Sequence, residues 1–199
     1  MITTRQIERF WTAKSFKKLF SELMAARPES AFHFDRELAK PTAVAALAMI
    51  RLDELSQSYL ALYSQFLRTV LAAQEADGGW GDLATTALCI RALLCGNGDG
   101  VAIERGLVYL ANLQKPQGIW PAVPIRRMAE DAAVSLFILH QLADQQCFRA
   151  AVRFADAVAW FEQHHHTLQP ELGHFWERIS ARCGGYSRTA SQLFVASSF

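Results

Sequence analysis

The sequence predicts an all-α fold of stacked helical hairpins, an α/α toroid-like arc that forms part of an α/α barrel. The first observation is a loop pattern, Q-x-x-x-G-x-W, which occurs at Gln74–Trp80 and again 40 residues later at Gln114–Trp120. The second is the spacing of apolar helical segments, which begin near Thr42, Thr86 and Asp131, 44 and 45 residues apart. Periods of this size are typical of repeats built from helix pairs. No run alternates apolar and polar residues as a half-buried strand would.

Residues 1–27 are predicted to form a separate amphipathic helix, which Pro28 ends. Apolar side chains recur there every three to four residues, and other positions hold Arg5, Arg9, Lys14, Lys17 and Lys18. A basic amphipathic helix can lie on a membrane surface, so peripheral membrane contact is one interpretation. The alternative is that its apolar side packs on the next hairpin.

Residues 41–199 are predicted to hold about four helical hairpins. The predicted helices are Ala43–Leu55, Tyr59–Gln74, Ala87–Leu94, Ile103–Gln114, Glu130–Leu142, Arg149–Gln163 and Thr189–Phe199, with a loop and a short helix between residues 164 and 182. Those that begin near Thr42, Thr86 and Asp131 are the more apolar. The pattern therefore predicts buried inner helices that alternate with partly exposed outer helices.

Composition favours one globular domain over residues 1–199. Charged residues make up 20% of the chain, below the roughly one quarter of an average protein, and 51% of the residues are hydrophobic. A net charge of +1 gives no electrostatic reason to expect nucleic acid as a partner. The N-terminus lacks the apolar core of a signal peptide, and no apolar run is long enough to span a membrane.

The four cysteines form no C-x-x-C pair. They are therefore predicted to be buried free thiols of a cytoplasmic protein. No cofactor is expected, because the glycine-rich stretches at residues 77–79 and 96–100 match neither a phosphate-binding loop nor a dinucleotide fingerprint.

The loop pattern predicts a structural corner. A glutamine at a helix C-terminus can hydrogen-bond the backbone of the turn or of the next helix, glycine supplies backbone freedom, and tryptophan covers a large area with one N–H to satisfy. Each corner should therefore hold one hairpin to the next. A third, weaker copy is predicted at Gln169–Phe175.

The second copy resembles a complete QW motif of the terpenoid cyclases, of the squalene–hopene cyclase type. It reads R-G-x-x-Y-L-x-x-x-Q-x-x-x-G-x-W from Arg105 to Trp120, whereas the first copy keeps only the part from Gln74 to Trp80. The resemblance in layout covers about residues 41–199 and extends to protein prenyltransferases. It implies a toroid that binds an isoprenoid or another hydrophobic substrate. Because about four hairpins do not close a ring, a second subunit, identical or not, is one way to complete it.

The resemblance also implies an acidic D-x-D-D motif at the start of an inner helix, whose middle acid protonates an alkene. The best match is Met128-Ala-Glu130-Asp131, so the intact motif is absent because Met128 replaces its first aspartate. Glu130 would be the catalytic acid and Asp131 its partner. The alternative is that both carboxylates cap the first turn of a helix. Predicted substrate-binding residues, which would face the developing cations, are Phe137, Trp80, Trp120 and Tyr186.

Two other functions stay open. A non-catalytic helical-repeat module would keep the motif for its architecture and bind a peptide or a partner protein. A zinc-dependent transferase or cyclase of the same superfamily would need metal ligands. The sequence offers His164, His165, His166, His174 and Cys183 for that purpose. Their spacing matches no known zinc pattern, and a solvated loop is the alternative interpretation.

Overall fold

The computed structural model describes residues 41–58, 61–96, 98–122 and 130–183, which all lie in the unit Leu38–Phe199. These ranges contain eight α-helices, one 3-10 turn and no strand, so the predicted all-α class is confirmed for this part of the chain. None of these helices is both long and apolar enough to cross a membrane. The helices predicted for residues 1–27 and Thr189–Phe199 lie outside the described residues.

The helices follow one another with short connections. They are α1 (Pro41–Glu54), α2 (Ala61–Ala72), α3 (Leu83–Cys95), α4 (Gly100–Leu113), α5 (Asp131–Leu142), α6 (Gln146–Ala151), α7 (Phe154–His164) and α8 (Pro170–Cys183), with a 3-10 turn at His165–Thr167 between the last two.

Aspartate caps start α3 and α4 earlier than the apolar pattern predicts. Asp82 accepts hydrogen bonds from the backbone N–H of Thr85 at 2.8 Å and from its hydroxyl at 2.8 Å. Asp99 accepts a bond from the N–H of Val101 at 2.8 Å. Because these carboxylates satisfy N–H groups that have no partner inside the helix, each helix extends upstream to its cap.

The described helices pack as neighbouring pairs. Helices α1, α3, α5 and α8 neighbour one another in that order, while α2 packs on α1, α4 on α3, and α7 on α8. Ten of the thirteen residues of α3 and eight of the twelve of α5 are buried, against three of twelve in α2 and four of fourteen in α4. The predicted alternation is confirmed from α2 to α5. Helix α1 buries only four of its fourteen residues.

The single helix predicted for Arg149–Gln163 is wrong, because the chain breaks it at Val152 and Arg153. Arg153 donates its backbone N–H to Gln114 Oε1 at 2.8 Å, and its carbonyl accepts a bond from Gln114 Nε2 at 3.2 Å. At the break, Gln114 thus takes the place of a helical acceptor for the N–H of Arg153, while the carbonyl of Arg153 also accepts a bond from the N–H of Ala157 in α7. Apolar periodicity alone does not reveal such a distant contact.

The loop and short helix predicted between residues 164 and 182 differ from the structure, because α8 runs for fourteen residues. Its buried side chains, Phe175, Trp176, Ile179 and Cys183, form a helical stripe. Gly173 and Phe175 lie inside this helix, and Gln169 precedes it. The predicted third copy of the corner at Gln169–Phe175 is therefore not a corner.

Candidate functional site

The first corner, at the end of α2, joins that helix to α4. Gln74 Nε2 donates to the carbonyl of Gly78 at 2.9 Å and to the carbonyl of Ala102, in α4, at 2.9 Å. Trp80 is 2% exposed, and its indole N–H donates to the carbonyl of Val70 at 2.7 Å. The side chains of the loop pattern therefore lock the turn and tie it to the next outer helix.

The second corner repeats this arrangement between α4 and α7. Gln114 Nε2 donates to the carbonyl of Gly118 at 2.6 Å and to that of Arg153 at 3.2 Å. The indole N–H of Trp120 donates to the carbonyl of Leu110 at 2.8 Å, and this tryptophan is fully buried. The structural role predicted for both copies is confirmed.

Two arginines reinforce the corners. Arg105 donates from its guanidinium to the carbonyls of Glu75 at 2.7 Å and Ala76 at 3.2 Å. Arg153 donates in the same way to the carbonyls of Gln114 at 2.7 Å and Lys115 at 2.6 Å. The sequence analysis missed Arg153. The repeat gives no signal for it, because the residue that Gln74 contacts in the preceding repeat, at the equivalent position, is Ala102.

The start of each inner helix is equivalent in the two repeats. The backbone N–H of Trp80 donates to the hydroxyl of Thr86 at 3.0 Å, and that of Trp120 to the hydroxyl of Ser135 at 2.8 Å. Matching these two hydroxyls aligns Asp82 with Asp131, each four residues earlier.

Both aligned aspartates bind backbone where an inner helix begins. Asp82 caps α3, and Asp131 Oδ1 accepts a bond from the N–H of Ala122 at 2.8 Å. The other oxygen of Asp131 forms an ion pair with the ammonium of Lys115. The residue predicted as the partner acid thus occupies a place that the preceding repeat fills with a capping aspartate.

The electrostatics of Asp131 keep its carboxylate charged. Burial acts to raise the pKa, but the hydrogen bonds from Lys115 and Ala122, together with the charge of Lys115, outweigh it and lower the pKa below its ordinary value. A carboxylate with a lowered pKa is a poor proton donor at neutral pH. Lys115 is a second residue of this site that the sequence analysis missed.

Glu130 lies at the cap position of α5 but its side chain makes no capping bond. It is exposed, and its Oε1 accepts a hydrogen bond from Gln169 Nε2 at 2.7 Å. This setting differs from the apolar pocket that would keep a glutamate protonated. In the preceding repeat the aligned residue is Gly81. The architecture of the repeat therefore does not require an acidic residue at this position. Met128 lies outside the described residues.

The three predicted aromatic residues that lie in the described part of the chain are all buried. Trp80 and Trp120 belong to separate corners, and Trp120 stacks on Phe148 of α6 with ring centroids 6.1 Å apart. Phe137 is 2% exposed within α5, and Tyr186 lies outside the described residues. Within the part of the chain that is described, these side chains serve packing.

The candidate zinc ligands have other contacts. His164 stacks on Trp160 with centroids 4.5 Å apart, and its Nδ1 lies 2.7 Å from the carbonyl of Trp160. His165 Nδ1 lies 2.9 Å from the carbonyl of Glu162. Over residues 41–58, 61–96, 98–122 and 130–183, no three histidine, cysteine or acidic side chains come close enough to hold a metal ion.

The four cysteines are free, as the sequence predicts. Cys89 and Cys183 are buried, Cys95 is half-buried, and Cys147 is exposed in the first turn of α6. The prediction of burial is therefore wrong for Cys147, because the short helix α6 buries only Phe148.

No protein-family model, curated protein or solved structure matches this chain. The resemblance to terpenoid cyclases therefore depends on the loop motif and its spacing.

Proposed function

We propose that the chain is a non-catalytic helical-repeat module that binds a peptide or a partner protein. The observation that carries this proposal is that Trp120 and Asp131, two of the residues expected to take part in binding or chemistry, have structural equivalents in the preceding repeat. Trp80 and Trp120 are buried corner residues, and Asp131 takes the structural place of Asp82. Because these residues have a structural role in both repeats, no catalytic role is needed to explain why the motif is present.

The outer helix α4 offers a surface for such a partner. Val101 is 66% exposed and Val108 is 50% exposed, and their spacing of seven residues places them two turns apart on one side of the helix. Apolar side chains in this arrangement match the anchors by which a helix or an extended peptide docks on a helical surface. We propose an apolar segment of a partner protein as the occupant.

A double substitution tests this surface. The wild-type chain is first used to capture its partner from cells that express the chain. The affinity of the purified partner is then measured for the wild type and for the double variant Val101→Ser/Val108→Ser. We expect about a tenfold loss or more, because two valines no longer bury apolar area. Leu55→Ser, at a side chain that is also 50% exposed, and Glu130→Ala serve as controls and should bind as the wild type does. Unchanged affinity in the double variant would overturn the proposed surface.

A terpenoid-cyclase-like protein that binds, and cyclises, an isoprenoid is the second candidate. The repeated corner supports it, because that motif is the basis of the resemblance. The purified chain is incubated with squalene and with polyprenyl diphosphates, and bound ligand and cyclised product are measured. Product that is lost in Glu130→Gln but kept in Glu104→Gln, at an exposed residue of α4, would replace the non-catalytic proposal with this one. Neither binding nor product would remove the second candidate.

The zinc-dependent alternative has no supporting cluster among the described residues. Metal analysis of the purified chain tests it, and stoichiometric zinc would restore it as a candidate.

A further inference from the structure

No further inference is drawn: the strongest candidate, the side-chain cluster at the start of α2, where the hydroxyl of the buried Tyr63 has no hydrogen-bond partner and lies near the half-buried Cys95 and Asp53, carries nothing because no second feature of the described residues points to a ligand there.

Discussion

At Gly118 the second corner comes so close to α7 that a side chain has no room. The residue has φ +88°, and a Cβ atom added there would lie 2.4 Å from the backbone nitrogen of Ala157. Gly78 has φ +93°, and a Cβ atom added there would lie 2.5 Å from the carbonyl oxygen of Arg105. The glycine of the motif is therefore required for conformation and for close approach between repeats.

We expect Gly118→Ala to lower the free energy of unfolding by about 2 kcal/mol or more, because alanine is strained at positive φ and its Cβ meets backbone. Gly100→Ala is the matched control, since nothing lies within 4 Å of a Cβ there. Denaturant unfolding measures both variants. Equal effects of the two substitutions would contradict the close approach.

The Asp131–Lys115 pair predicts an acid-sensitive contribution to stability. Because the folded protein lowers the pKa of Asp131 from its ordinary 3.8, the contribution is present above that value. It is lost as the pH falls through the lowered folded pKa. Asp131→Asn and Lys115→Met should each flatten the fall of stability between about pH 5 and pH 2, measured by denaturant unfolding at each pH. Curves that stay parallel to the wild type would refute this role of the pair.

At the level of elements, the sequence predicts helices well where their signals are local. The apolar spacing and the glycine-rich turns locate α2, α3, α4 and α5. The break between α6 and α7 was missed because it depends on Gln114, 39 residues before Arg153. Helix α8 is longer than the short helix predicted, because the prediction assigns Gly173 to a corner although the apolar residues that follow it have helical spacing.

Gln114→Ala should weaken the junction between α4 and α7. The substitution leaves the carbonyl of Gly118 and the backbone N–H of Arg153 without their side-chain partner, and Gln114 is only 7% exposed. We expect a loss of about 2 kcal/mol in the free energy of unfolding. Gln117→Ala, at an exposed position of the same loop, should have little effect.

Hydrogen exchange at the backbone amide of Arg153 adds a local test of this junction, because that N–H loses its acceptor in Gln114→Ala. Protection of this amide that is unchanged from the wild type would contradict the role assigned to Gln114.

For the whole described unit, the corner residues were predictable and their partners were not. Gln74, Gln114, Trp80 and Trp120 stand out because the sequence repeats them at one spacing. Lys115 acts through the side chain of Asp131, and Arg153 and Ser135 act through distant backbone. Such contacts leave no pattern in a single sequence. The equivalence of Asp82 and Asp131 depends on the hydroxyls of Thr86 and Ser135, which accept bonds from the N–H groups of Trp80 and Trp120. The sequence alone does not show these bonds.

The positions of the two glutamines and of their partners along the chain set an order for synthesis on the ribosome. Gln74 needs the carbonyl of Ala102, 28 residues later, whereas Gln114 must wait for Arg153, 39 residues later. The first corner can therefore close while the partner of the second is still being translated. In a nascent chain from which Arg153 has not yet emerged, the side chain of Gln114 still lacks the backbone partner that it has at the start of α7.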